Sequence, residues 1–576
     1  MKRVRGLGHV TGMLARVVVL APIVALIPTS FLDRGPGGLC RLSFFPLAVA
    51  ALDPHIWECF RNSILMALAV TLASRFLGVG IADIVTRRRF WGRPVLAVLV
   101  CAGLASPPAF LAIGLRSLIG SDAARLGESF RPFAGWVAWF WVAVSCSVPL
   151  VVLAAASGLR RFDPSAEDAA RLEGASRGRV WRQFLWPTAR PGVAHALATI
   201  FTLTLIEPGA PLVLGLRRTL GFQIVEAATD LGIGQLNRAS VLALGATLIA
   251  VLARILLRWW GGIETRGVPE HLEHRNARDD RTSLGVGSLL AFVLSIVVIC
   301  VSLPFAGLGF AAMTTIAEQG SVRRGVSFES FVEMIRAPLL RRYLVNSLAL
   351  GIAAAVLGLI LARTLSAVLS GRVGNVDSGL MRLTRLLERM PPLAIGVGVL
   401  GLAAVLRFAV DSSGAMTGQS GWTLPLHGFV DILDADKTPG PGLVLAVSLI
   451  ALPMIARSAR LGRASMKPSR FEAAILLGAS PRLARRGLRT SWLGVAPIIV
   501  FASFVTAFSN ITPALVFATT SASRTAGPAV LTLVEEPGIG GQCAAAFAIL
   551  VISLNVVALA IAARGDSEGF RSWPRV

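Results

Sequence analysis

The sequence predicts an all-α polytopic membrane protein with about 12 transmembrane helices, arranged as two parallel six-helix repeats. Composition, the spacing of apolar stretches and a set of motifs repeated in order are the observations behind it. Hydrophobic residues make up 54% of the 576, Gly contributes 57 more, and only 15% are charged. Soluble domains hold ~45–50% apolar residues with Gly included, and ~25% charged ones. A water-facing surface cannot be tiled from such a chain. A soluble enzyme, a disordered chain and a disulfide scaffold are therefore excluded.

The candidate spans lie near 10–28, 61–85, 94–115, 135–158, 192–214, 239–257, 286–308, 343–368, 391–410, 441–456, 492–517 and 542–563. Each approaches the ~20 residues that cross ~30 Å of hydrocarbon at 1.5 Å per residue. The first follows Lys2, Arg3 and Arg5 as a signal peptide would. Pro22 and Pro28 come without a small-x-small cleavage site, so it reads as a retained signal-anchor helix. Arg75 and Asp83, in the inner half of the second span, read as separate interface residues. Trp91 and Trp259-Trp260 read as interfacial anchors, and Arg407 as snorkelling from the ninth span. Cys40, Cys59, Cys101, Cys146, Cys300 and Cys543 include no C-x-x-C pair. Cys40 and Cys59 share the first outside loop, where they either bridge or remain independent buried thiols.

The net charge of +24 invites a nucleic-acid reading. Its distribution argues against one. With the N-terminus inside, the inner segments hold about 35 Lys+Arg and the outer loops about 15, a positive-inside bias. The expected setting is a bacterial plasma (inner) membrane, multi-pass, with both termini cytoplasmic. The basicity then serves topology and attraction to anionic membrane lipid. No basic domain stands outside the membrane to hold a nucleic acid.

Asn62-Ser63 opens the second span and Asn346-Ser347 the eighth, 284 residues later. Pro107-Pro108 recurs as Pro391-Pro392 at the same offset, and DPSAEDAARLEGAS (163–176) as KPSRFEAAILLGAS (467–480) at an offset of 304. The longer outside loop after Leu406 absorbs the difference. The expected division is a first half over 1–260, a cytoplasmic linker over 261–285 and a second half over 286–576. Six spans per half make the repeat parallel, with a central pathway between equivalent helices. That is a transporter's architecture.

The segment after each half's fourth span carries the most information. It reads Glu167-Asp168-Ala169-Ala170-x-x-x-Gly174, nine residues, then Phe184-Leu185-Trp186-Pro187. In the second half it reads Glu472-Ala473-Ala474-x-x-x-Gly478, nine residues, then Leu488-Arg489-Thr490-Ser491. Two alanines let a short helix approach a neighbour closely, and the glycines end it cheaply. The basic amphipathic stretch that follows suits a second short helix across the membrane face. For one copy, an ordinary interfacial helix is the alternative. Two copies at equivalent places weigh against it.

These loops resemble the EAA loop of permease subunits of ATP-binding-cassette (ABC) importers, whose pattern is E-A-A-x3-G-x9-I-x-L-P. Asp168 stands for Glu and Phe184 for Ile in the first copy, and Ser491 replaces the closing Pro in the second. The resemblance implies that Asp168, Ala169, Ala170, Gly174 and Pro187, with Glu472, Ala473, Ala474 and Gly478, form loops that couple to ATPase subunits, two copies in all. It also implies a periplasmic or lipid-anchored solute-binding protein. The chain holds no G-x-x-x-x-G-K-[ST] loop, and none of its three lysines (Lys2, Lys437, Lys467) follows a Gly. ATP therefore belongs to a partner, and this chain is expected to bind no cofactor or metal and to catalyse nothing itself. His271 and His274 have ligand-like spacing but sit in a charged linker, where solvated side chains are the norm.

Two fused halves, with Glu207-Pro208-Gly209-Ala210-Pro211 in the fifth span, look like the ferric iron, thiamine and 2-aminoethylphosphonate permease group. An acid at mid-span costs roughly 2–3.5 kcal/mol, so it faces a pathway or a partner. Pro208, Gly209 and Pro211 would open the helix and bare its carbonyls. Glu207, Pro208 and Gly209, with Ser509, Asn510 and Thr512 of the second half, are the expected translocation path for ferric iron or a similar cationic or polar solute. Two alternatives stay open. Glu207 could be a helix-end acid bonded to a neighbour, and the chain could be an ion-coupled secondary transporter with two six-helix repeats.

Overall fold

The computed structural model describes residues 20–34, 40–87, 102–123, 130–160, 164–229, 233–262, 302–313, 326–369, 386–417, 439–464, 475–478, 511–517, 524–536 and 540–565. The first half holds α1 (Leu20–Phe31), a ribbon of β1 (Leu32–Arg34) and β2 (Cys40–Leu42), α2 (Phe45–Leu52), α3 (Pro54–Arg87), α4 (Pro108–Ala123) and α5 (Phe130–Arg160). It continues with α6 (Pro164–Leu172), α7 (Arg177–Val180), α8 (Trp186–Leu205), α9 (Gly209–Leu214), α10 (Leu220–Thr229) and α11 (Ile233–Gly261). The second half holds α12 (Ser302–Met313), α13 (Glu329–Arg336), α14 (Pro338–Leu369), α15 (Pro392–Thr417), α16 (Pro439–Ala464), α17 (Ile511–Phe517), α18 (Ala526–Glu535) and α19 (Gly540–Gly565). The protein is all-α, with only the three-residue strands of the ribbon, paired antiparallel as Leu32↔Leu42, standing outside the class. Six described helices are long and apolar enough to cross a membrane. Most of the linker, 263–285, and the stretches 94–101, 286–301 and 492–510 of the expected spans lie outside the described residues.

Five of the long helices, α3, α4, α14, α15 and α16, begin at a proline. A proline there loses nothing, since its missing N–H would be unpaired in the first turn and its φ is already helical. Elements recur at the motif offsets: Phe45 and Glu329, Pro54 and Pro338, and Pro108 and Pro392 are helix starts 284 apart. The kinking prolines Pro149 of α5 and Pro453 of α16 are 304 apart.

Two glycines explain how the halves interlock. A Cβ on Gly114 of α4 would stand 2.2 Å from Pro304 O and 2.6 Å from Leu308 N of α12. A Cβ on Gly398 of α15 would stand 2.4 Å from Pro22 O of α1. Each half's opening helix thus lies backbone to backbone on the other half's proline-led helix, at positions 284 apart, where only glycine leaves room. Two buried cores follow, and both mix the halves. One packs Phe110, Trp139 and Ile200 with Met334, Tyr343 and Phe547. The other packs Leu26, Ile206 and Ile224 with Leu393, Val447 and Phe517.

The Asn-Ser pairs have a structural purpose. Asn62 Nδ2 donates to Arg218 O (3.1 Å), and Ser63 Oγ accepts from Leu220 N (2.9 Å) at the start of α10. Asn346 Nδ2 donates to Arg524 O (2.9 Å), and Ser347 Oγ accepts from Ala526 N (2.7 Å) at the start of α18. In each pair the serine satisfies a helix-start donor of a neighbouring element, and the asparagine satisfies a carbonyl just before it. The outward stripes of α3 (Leu65, Leu68, Leu72, Phe76) and α14 (Ile352, Val356, Ile360) are exposed and apolar, as a hydrocarbon-facing surface requires.

Candidate functional site

Two places meet the chemistry expected of a transporter: the paired loops and a cavity between the halves. In the first loop, α6 ends in a Schellman turn. Ala175 N donates to Ala170 O (3.0 Å), Gly174 N donates to Arg171 O (3.0 Å), and Gly174 holds φ +84°. Gly478 repeats it, with φ +85° and its N–H donating to Ile475 O (2.9 Å). Only glycine adopts this backbone without strain. Glu167 is buried and takes a 2.7 Å ion pair from Arg171, which stiffens the helix. Ala170 packs on the core while Ala169 is exposed, so only one of the two alanines makes the close approach expected of both. Asp168 is half-buried and Pro187 exposed. Glu472, Ala473 and Ala474 lie outside the described residues.

At the tips, Leu172 is 90% exposed, Leu476 86% and Leu477 88%.

The amphipathic stretch does not form the separate second helix that the sequence suggests. Arg177–Val180 runs through a π turn, Trp181–Leu185, directly into α8. Trp186 N donates to Trp181 O, the wider ring of a π turn. Pro187 supplies the physical reason, since its ring cannot pass a regular α-turn and its nitrogen donates nothing. The stretch after the Gly174 turn is therefore continuous with α8.

The cavity, about 280 Å³, lies beside the end of α8. Ser106, Ser147, Thr204 and Glu207 of the first half line it with Pro392 and Thr512 of the second. The fifth span is not one helix. It stops at Leu205, turns through Ile206–Pro208 and restarts as α9, the opening that Pro208 and Gly209 imply. Glu207 Oε1 accepts from Gly209 N (2.8 Å) and Ala210 N (3.1 Å), and Oε2 accepts from Ala210 N (3.2 Å). Of the two roles left open, the helix-end acid describes its bonding, although the residue also lines the cavity. A Cβ on Gly209 would meet Ala109 Cβ at 2.8 Å, so Gly209 is fixed by close packing. A Cβ on Gly221 would stand 2.5 Å from Glu207 O, and one on Gly527 2.8 Å from Ile511 Cγ1. Ser509 and Asn510 lie outside the described residues.

Sequence reasoning missed a second contact between the halves. His195 Nε2 of α8 lies 2.8 Å from Glu388 Oε1, and Arg254 of α11 lies 3.8 Å from the same oxygen. Glu388 falls in an expected inner segment, and His195 and Arg254 near the inner ends of the expected spans 192–214 and 239–257. The only signal was ionisable residues at inner span ends, too common to single out. Cys59 is a buried free thiol. Among the described residues, no group of three His, Cys, Asp or Glu is placed to hold a metal.

This geometry is that of a polytopic all-α membrane protein with a cavity between its two halves. Residues 74–268 match the family described as binding-protein-dependent transport system inner membrane component. The sulfate transport system permease protein CysT of Salmonella typhimurium is 27% identical over 193 residues, 33% of this chain and 68% of its own length. The molybdate/tungstate transport system permease protein WtpB of Pyrococcus abyssi is 25% identical over 244 residues, 42% of this chain and 90% of its own. The diacetylchitobiose uptake system permease protein NgcG of Streptomyces coelicolor is 27% identical over 199 residues, 34% of this chain and 63% of its own. These likenesses support a binding-protein-dependent ABC permease component, a multi-pass membrane protein. They do not support the ferric iron, thiamine and 2-aminoethylphosphonate group in particular.

Proposed function

We propose that this chain is the permease of an ABC importer, two fused halves that move a small polar solute inward by alternating access. A solute-binding protein delivers the solute outside, and two copies of an ATPase subunit dock on the paired loops inside, where both termini lie. The observation that carries this is the recurrence, 304 residues apart, of a Gly-terminated loop helix tipped with bare leucine. Nearly the whole length of one relative aligns within 42% of this chain, as expected if each half corresponds to one ordinary permease. That supports the proposed division at 1–260, 261–285 and 286–576. ATP hydrolysis is assigned to the partner.

For the solute, ferric iron rested on the resemblance to that permease group and on the pairing of the Glu207 carboxylate with bared carbonyls. Backbone N–H groups occupy that carboxylate, and two of the relatives are named for sulfate and molybdate/tungstate. A small oxyanion is therefore the favoured class, with hydroxyls at Ser106, Ser147, Thr204 and Thr512 lining the cavity. Leu172→Asp and Leu476→Asp test the docking assignment. Each is expected to cut ATPase co-purification by at least ~tenfold while the chain stays folded, the size of an interface anchor's loss. Full co-purification of both variants would overturn it.

A further inference from the structure

Where the inner half of α3 meets the start of α8 and the end of α11, three side chains gather around the indole of Trp260. The Arg75 guanidinium carbon lies 5.3 Å from the Trp260 ring centroid and 5.5 Å from that of Trp186, and Arg190 lies 5.1 Å from Trp260. Trp186 and Trp260 are themselves 5.9 Å apart. Two guanidinium groups thus share one ring. Neither has a carboxylate partner among the described residues, and the buried Nε of each has no hydrogen-bond acceptor. Ring stacking holds both cations in place but supplies no countercharge. α8 packs against both α3 and α11, and beside this cluster those two helices expose Leu72, Phe76 and Leu256. A cationic pair at the foot of an exposed apolar wall matches a molecule with an anionic head and hydrocarbon tails.

We propose that Arg75 and Arg190 bind the phosphate of an anionic phospholipid in the inner leaflet, with its acyl chains on the apolar surfaces of α3 and α11. Guanidinium forks match phosphate geometry with paired N–H donors. The exposed apolar wall selects a lipid over a free anion. Bound there, the lipid braces Trp186, where the π turn passes into α8.

The test uses the full chain, purified and titrated with phosphatidylglycerol, phosphatidylcholine or inorganic phosphate while thermal unfolding is followed. Phosphatidylglycerol should raise Tm, and the other two should not. R75Q/R190Q should weaken the apparent phosphatidylglycerol affinity by roughly tenfold or more, whereas R179Q/R258Q, which removes equal charge nearby, should change it far less. Equal losses in the two double variants would show diffuse attraction and overturn the site, as would equal responses to both lipids. An inorganic phosphate response matching that of phosphatidylglycerol would overturn the lipid assignment. If R75Q/R190Q fails to fold, photoreactive phosphatidylglycerol on the wild-type chain decides. Labelling should fall on the inner ends of α3, α8 and α11, and labelling elsewhere alone would refute the proposal.

Discussion

Glu207 shows how a single residue can be found for one reason and explained by another. Its cost in an apolar span singled it out, while its bonding depends on the turn at Ile206–Pro208. Glu207→Gln keeps an acceptor oxygen for Gly209 and Ala210. Its thermal stability should fall little, and uptake should stay near wild type. Glu207→Ala removes both acceptors and should lose about 1–3 kcal/mol. A large fall in uptake for Glu207→Gln at unchanged stability would instead put the charge itself in the pathway. The Asn-Ser pairs were visible as a repeat, but their partners at Arg218, Leu220, Arg524 and Ala526 were not, since those contacts join residues more than 150 positions apart.

At the scale of elements, long apolar helices were legible because hydrocarbon imposes their length and composition. α10 and α18 were not, being ten-residue helices in segments that read as outside loops. The π turn before Pro187 was also hidden: a proline announces a disturbed helix but does not say whether the helix ends, kinks or widens. Contacts between elements were legible least. Gly114 and Gly398 stand among 57 glycines, and only the crossing backbones distinguish them. Gly398→Leu should force α1 off α15 and lower stability by several kcal/mol, about the cost of severe overpacking or more. Gly309→Leu, on an open face, should cost far less in the same unfolding measurement. Similar losses at the two sites would contradict the interlocked helices.

Across the whole molecule, three levels support the proposed doubled permease: offsets of 284 and 304 in the sequence, helix starts and glycine crossings at matching positions, and a relative of which 90% aligns within 42% of this chain. The solute was least legible: on the proposed reading a separate binding protein selects it, which leaves the membrane chain few groups that identify it. Glu207 looked like such a group only while its backbone partners were unseen. On the proposed reading, a nucleotide-driven partner supplies the energy and the paired loops receive it. Proteoliposomes containing the chain with its co-expressed ATPase and binding protein test this directly, with labelled sulfate or molybdate as the probe. Uptake should require ATP on the loop side and survive ionophores that collapse ion gradients. Uptake by the chain alone, driven by an ion gradient without ATP, would contradict it.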